Sequence, residues 1–110
     1  MSQYVFTTTP ANTVAVAGSP ILLQCGIDTV SGKLQWAYSE PERNRKRYIV
    51  SGNKVHPSHT DKYIINYRKN ATLDLDLTIK HVEPSDAGIY ECLKYQEESS
   101  VHSQVTILGK

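Results

Sequence analysis

Long apolar runs are missing from this chain. None approaches the roughly 20 residues that a membrane-spanning helix needs, and Met1-Ser2 does not begin a signal peptide. A dominant sign of charge is missing too: the net formal charge is +1, so no global field points to nucleic acid or to a membrane surface. Internal repeats, low-complexity tracts and long linkers are absent. No nucleophile motif and no glycine-rich phosphate loop occur, so neither an enzyme nor a bound cofactor is expected. His56-Pro57-Ser58-His59 has a proline between its histidines and no third ligand nearby, so no metal is expected there. Cysteine is limited to Cys25 and Cys92.

What is present concentrates in one motif. Asp86-Ala87-Gly88-Ile89-Tyr90-Glu91-Cys92 follows Cys25 and Trp36. On these residues the chain resembles the immunoglobulin superfamily, specifically its variable-type (V-set) domains. The resemblance implies an all-β fold: a two-sheet antiparallel sandwich with Greek-key topology and one inter-sheet disulfide, Cys25–Cys92. It implies that Trp36 packs on that bridge and that Tyr90 forms the corner leading into its strand. It also implies that Asp86 pairs with a base at the start of strand D, Lys62 or, failing that, Arg68. The alternative is that Asp86 caps its own turn through backbone N–H groups. If the cysteines pair, the closed loop is worth about 4 kcal/mol in the chain-entropy model. Pairing implies an oxidising compartment and an extracellular or cell-surface address. Two reduced thiols in an intracellular, muscle-type domain are the alternative.

Size agrees with a single domain over residues 1–110, with residues 1–3 expected outside the ordered fold. An apolar content of 39% supplies one core and not two. Met1 reads as an expression start, and the chain as one domain of a longer secreted or membrane-anchored protein. Short β-branched and aromatic runs separated by Gly, Pro, Asn and Ser predict strands throughout. The expected strands are A over Tyr4–Thr9, A′ over Val14–Ala17 after a break at Pro10, and B with Ile21, Leu23 and Cys25 inward. Strand C covers Leu34–Tyr38 and C′ covers Tyr48–Ser51. C″ lies within Lys54–His59, and D covers Lys62–Tyr67. Strand E shows the clearest alternation, with Leu73, Leu75, Leu77 and Ile79 inward and Asp74, Asp76, Thr78 and Lys80 on the solvent side. F spans Gly88–Lys94 and G about Ser103–Leu108. The stretch from Trp36 to Lys62 has room for both C′ and C″, which favours the variable over the constant type.

The sheet made by G, F, C and C′ is the candidate recognition face. Alternation points Gln35, Ala37 and Ser39 outward on C, and Glu91, Leu93 and Tyr95 outward on F. Leu93, Tyr95 and Ala37 are expected to lose water at the centre of a contact, with Gln35 and Glu91 supplying directional hydrogen bonds. The basic run Arg43, Arg45, Lys46 and Arg47 and the acidic pair Glu97 and Glu98 border this face. In a two-fold dimer such borders meet their opposites. A solvated loop, or a site for acidic glycans, are the other readings of the basic run. Asn70-Ala71-Thr72 is an N-glycosylation sequon in the expected D–E turn. Asp74 and Asp76 read as ordinary strand alternation and not as a catalytic pair.

Within the superfamily, Pro10, Val14-Ala15-Val16-Ala17-Gly18-Ser19 and Ser31-Gly32-Lys33-Leu34-Gln35-Trp36 look like the first domains of nephrin- and Kirrel-type adhesion receptors, and the chain is similar to variable-type receptors of invertebrate chordates. The resemblance implies recognition through the front sheet, homophilic or between relatives. Val101-His102-Ser103-Gln104 lacks the aromatic-Gly-x-Gly bulge of antigen receptors, which argues against antibody-style pairing. The stretch from C′ to D is longer than in nephrin-like domains. The expected function is therefore extracellular protein–protein recognition or adhesion, with a homodimer as the expected form. The alternatives are a glycan-binding domain using its loops and a structural spacer. The F–G loop, Gln96–His102, lacks aromatics for sugar stacking, which weighs against the glycan.

Overall fold

The computed structural model describes residues 5–29, 32–42, 45–51, 54–55, 61–94 and 99–109, with Ser51 described by its backbone alone. The described residues form eleven strands. In chain order they are β1 (Phe6–Thr8), β2 (Thr13–Val16), β3 (Ile21–Leu23), β4 (Gly26–Ile27), β5 (Leu34–Ser39), β6 (Lys46–Ser51), β7 (Lys54–Val55), β8 (Tyr63–Lys69), β9 (Leu73–Ile79), β10 (Gly88–Lys94) and β11 (Ser100–Leu108). The back sheet runs β1-β4-β9-β3, with β8 on the other side of β9; the front sheet runs β2-β11-β10-β5-β6-β7. All pairings are antiparallel except β2 with β11, which is parallel. At the break expected at Pro10 the chain leaves the back sheet for the front one, and Pro10 is buried there.

The alternation of β9 sets the core. Leu73, Leu75, Leu77 and Ile79 are fully buried, facing Ile21, Leu23 and Ile27 of the neighbouring strands and the front sheet's Leu34, Trp36 and Tyr90. Burying each such side chain stabilises by roughly 1.5–3 kcal/mol relative to leaving it in water. Cys25 and Cys92 form the inter-sheet disulfide, Cα to Cα 6.6 Å. Trp36 stands across the ladder from Cys92. Its indole Nε1–H donates to the Leu75 carbonyl at 2.8 Å, while the Leu75 N–H donates to the Cys25 carbonyl at 2.9 Å. One residue of β9 thereby ties the indole to the half-cystine.

The lower end of the sandwich is held by polar groups. Tyr90 OH donates to the Asp86 carbonyl at 2.8 Å, and Tyr38 OH to the Ala87 carbonyl at 2.6 Å. Asp86 sits in a short 3-10 helix, Pro84–Asp86. Its carboxylate does two jobs at once, meeting Lys62 Nζ at 2.9 Å and accepting the Glu83 N–H at 2.7 Å. Lys62 also meets Glu83 at 3.0 Å. Burial pushes the Lys62 ammonium down, but its bonds to Asp86 and Glu83 outweigh that and hold it above the usual lysine range. Gly88 follows with φ 148°, and a Cβ there would fall 2.5 Å from the Ser39 carbonyl oxygen, so only glycine fits.

Several expectations need correction. Asp76 does not face solvent; only 5% of it is exposed. Strand B is broken into β3 and β4, and Asp76 fills the break by accepting the Cys25 N–H at 3.3 Å. Arg68 Nη2 covers it at 3.0 Å and reaches Asp74 at 3.6 Å, so Arg68 is not a partner of Asp86. A Cβ on Gly26 would collide with the Asp74 carboxylate. β8 starts one residue later and ends two residues later than expected for D, and β11 begins at Ser100, ahead of the expected start of G. Of the expected C″, Lys54–Val55 form β7; residues 56–60, including His56 and His59, lie outside the described residues, as does Tyr4.

Candidate recognition face

The outward side of the front sheet is built from four strands in fixed register. Ala37 of β5 lies opposite Glu91 of β10 on one side and Tyr48 of β6 on the other, and Glu91 lies opposite His102 of β11. Lys46, opposite Ser39, reaches across β5 to place Nζ 2.9 Å from Glu91 Oε1. The side chains of Lys46 and Glu91 are 44% and 18% exposed. Burial pushes the Glu91 carboxyl up, but hydrogen bonding with Ser100 and Lys46 and the nearby Lys46 and His102 charges hold it below the usual carboxylate range. The hydrogen bond to Glu91 in turn raises Lys46 above the usual lysine range. The pair presents paired charge, and not two separate ions, at the middle of the face.

This bridge changes the expected picture. Ala37 and Leu93 point to the outward side as alternation requires, yet they are only 1% and 8% exposed. The Lys46–Glu91 bridge passes over β5 beside Ala37, and Leu93 is enclosed between Gln35 and Ser100 in the centre of the sheet. Neither has much water left to lose. Gln35 is half-buried on the same side. Tyr95, Glu97, Glu98 and Arg43 lie outside the described residues. Of the basic run, Arg47 lies over the Tyr38 ring, 5.1 Å from its centroid. Arg45, Lys46 and Arg47 line a hollow of about 300 Å³ with Tyr38 and Glu40.

Sequence reasoning missed Tyr48, which is 43% exposed on this face. In Tyr48-Ile49-Val50 three apolar residues follow one another, so alternation cannot choose the outward one. A register shift between Trp36 and Ala37 decides it: Val50 pairs with Trp36 and Tyr48 with Ala37, and both Ile49 and Val50 turn inward, fully buried. The cluster around Asp76 was missed because nothing local marks a strand break. Asn70 is exposed in the β8–β9 turn, in the back sheet. Among the described residues no group of three or more His, Cys, Asp or Glu could hold a metal, and no helix is long and apolar enough to cross a membrane.

Two sheets clamped by one disulfide, with C′ and C″ strands added to the front sheet, define a variable-type immunoglobulin sandwich. The chain belongs to the immunoglobulin V-set domain family, whose profile matches residues 8–108. It is 28% identical over 83 residues to tyrosine-protein phosphatase non-receptor type substrate 1 of Rattus norvegicus, a match covering 74% of this chain and 16% of that protein. It thus spans under a fifth of that relative's length. It is 26% identical over 92 residues to Ig kappa chain V region 3368 of Oryctolagus cuniculus, covering 83% of this chain and 80% of the relative. Among solved structures, the RIG-5 IG1 homodimer superposes with a TM-score of 0.82 at 21% identity, over 97% of this chain and 99% of that one. At that identity the likeness speaks for the fold alone.

Proposed function

We propose that this domain is a non-enzymatic recognition module of an extracellular or cell-surface protein, binding a protein partner, a second copy of itself, through the face of β11, β10, β5 and β6. One observation carries the reading: an exposed tyrosine, Tyr48, stands beside a pre-paired Lys46–Glu91 bridge on the outward side of the front sheet. Aromatic residues are enriched at interface centres, and Tyr brings apolar area with a polar tip. A lone charge buried by a partner is costly, whereas ions already bonded to each other bring no unpaired charge into the contact. A face that carries one cation and one anion is also able to complement itself about a two-fold axis. The V-set family and the homodimeric RIG-5 neighbour agree with this use of the fold. The disulfide supports the extracellular address.

Sedimentation velocity across a concentration series tests the reading. The parent should self-associate, and Tyr48→Asp should be monomeric at the same concentrations. Ile64→Ser, on the exposed side of the back sheet, should behave as the parent. A parent that stays monomeric throughout overturns the homodimer. A parent that associates and loses association only in Ile64→Ser moves the contact to the other sheet. Association insensitive to both variants, with capture on a glycan array, would favour recognition by the loops.

A further inference from the structure

We propose that Asn70 carries an N-linked glycan, projecting from the end of the back sheet and leaving the front face free. The segment Asn70-Ala71-Thr72 has the acceptor pattern, with a middle residue other than proline. The structure adds where it lies. The three residues form the turn between β8 and β9, closed by the Asn70 N–H donating to the Thr72 carbonyl at 3.0 Å. Asn70 and Ala71 are exposed at the apex and Thr72 is half-buried, so the acceptor amide stands in solvent. The turn caps a hairpin paired without interruption from Tyr63 with Ile79 to Lys69 with Leu73. The nearest arginine, Arg68, is drawn onto Asp74 and Asp76 and is not laid over the asparagine. The Cys25–Cys92 bridge supports an oxidising, secretory setting, where the modification occurs.

The co-reactant is an oligosaccharide carried on a lipid pyrophosphate and delivered by a transferase. The Asn70 Nδ2 forms a bond to the anomeric carbon of the first sugar. The bond from that carbon to the pyrophosphate oxygen breaks, the lipid pyrophosphate leaves with the bonding pair, and the amide loses one proton to a base of the transferase. No oxidation or reduction is involved.

The side of the sandwich matters for the partner. β8 and β9 belong to the back sheet, while Tyr48, Lys46 and Glu91 belong to the front one. Packed sheets are separated by roughly 10 Å of core. A glycan at Asn70 therefore covers the β8–β9 end of the back sheet and disfavours close contact there. This second half rests on the face proposed above; occupancy of Asn70 does not, and the two fail separately.

The test is secretion of the chain from a eukaryotic cell line, with intact mass and peptide mapping before and after PNGase F. The expected result is a mass loss on treatment, with Asp found at position 70 in the treated peptide. Asn70→Gln and Thr72→Ala should lose the shift, and Thr72→Ser should keep it. Secreted, disulfide-bonded parent whose mass equals that of the bare polypeptide overturns the site without any variant. Sedimentation before and after PNGase F tests the geometry: self-association should be unchanged, and association that strengthens on removal of the glycan overturns the placement away from the interface.

Discussion

Lys46 and Glu91 meet at 2.9 Å across the full width of β5, joining two strands of the front sheet that do not touch through their backbones. The contact crosses β5 beside Ala37 and joins a cation to an anion on the candidate face. It also makes the face sensitive to acid.

Glu91 is held below its ordinary range in the folded chain. A carboxyl with a depressed folded pKa contributes stability that is present above its unfolded value and lost as pH falls through the folded one. Urea midpoints measured between pH 7 and pH 3 should therefore fall in the acid limb below about 4.5, the unperturbed value. Glu91→Gln should cost about 0.5–1 kcal/mol at pH 7 and flatten part of that limb. An acid limb identical to the parent's would remove the bridge from the account.

Asp74 and Asp76 should respond differently. Asp76→Ala leaves the buried Cys25 N–H without its acceptor and frees Arg68, costing about 2–3 kcal/mol. Asp74, whose side chain is 23% exposed and lies 3.6 Å from Arg68, should cost under about 1 kcal/mol when changed to Ala. Denaturant unfolding of both variants decides this. Equal costs would mean that the broken strand B needs no side-chain acceptor.

Trp36→Phe removes the indole donor to Leu75 and leaves space beside the disulfide, with an expected loss of about 2–4 kcal/mol in urea unfolding. A change under about 1 kcal/mol would show that the indole fills volume without anchoring β9.

The sandwich was legible wherever a strand alternates simply. Leu73 to Ile79 declares its buried face in the letters alone, and Cys25, Trp36, Tyr90 and Cys92 mark both sheets. The candidate face was less so. Outward direction for Ala37 and Leu93 follows from the period of two, but exposure depends on what neighbouring strands lay over them, and Lys46 is a residue of a different strand. Tyr48 was hidden by the bulge that turns Ile49 and Val50 inward together. Asp76 follows the alternation of β9 perfectly, and its burial arises from a break in strand B fifty-one residues away. Long-range pairing of this kind leaves no trace in local sequence.

The most direct measurement is a dilution series of ¹H–¹⁵N spectra of the labelled domain. Recognition through the front sheet predicts that the amides of Gln35, Lys46, Tyr48, Glu91 and His102 shift with concentration while those of Leu22, Ile64 and Arg68 stay fixed. Shifts confined to the back-sheet residues, or none up to the solubility limit, contradict it.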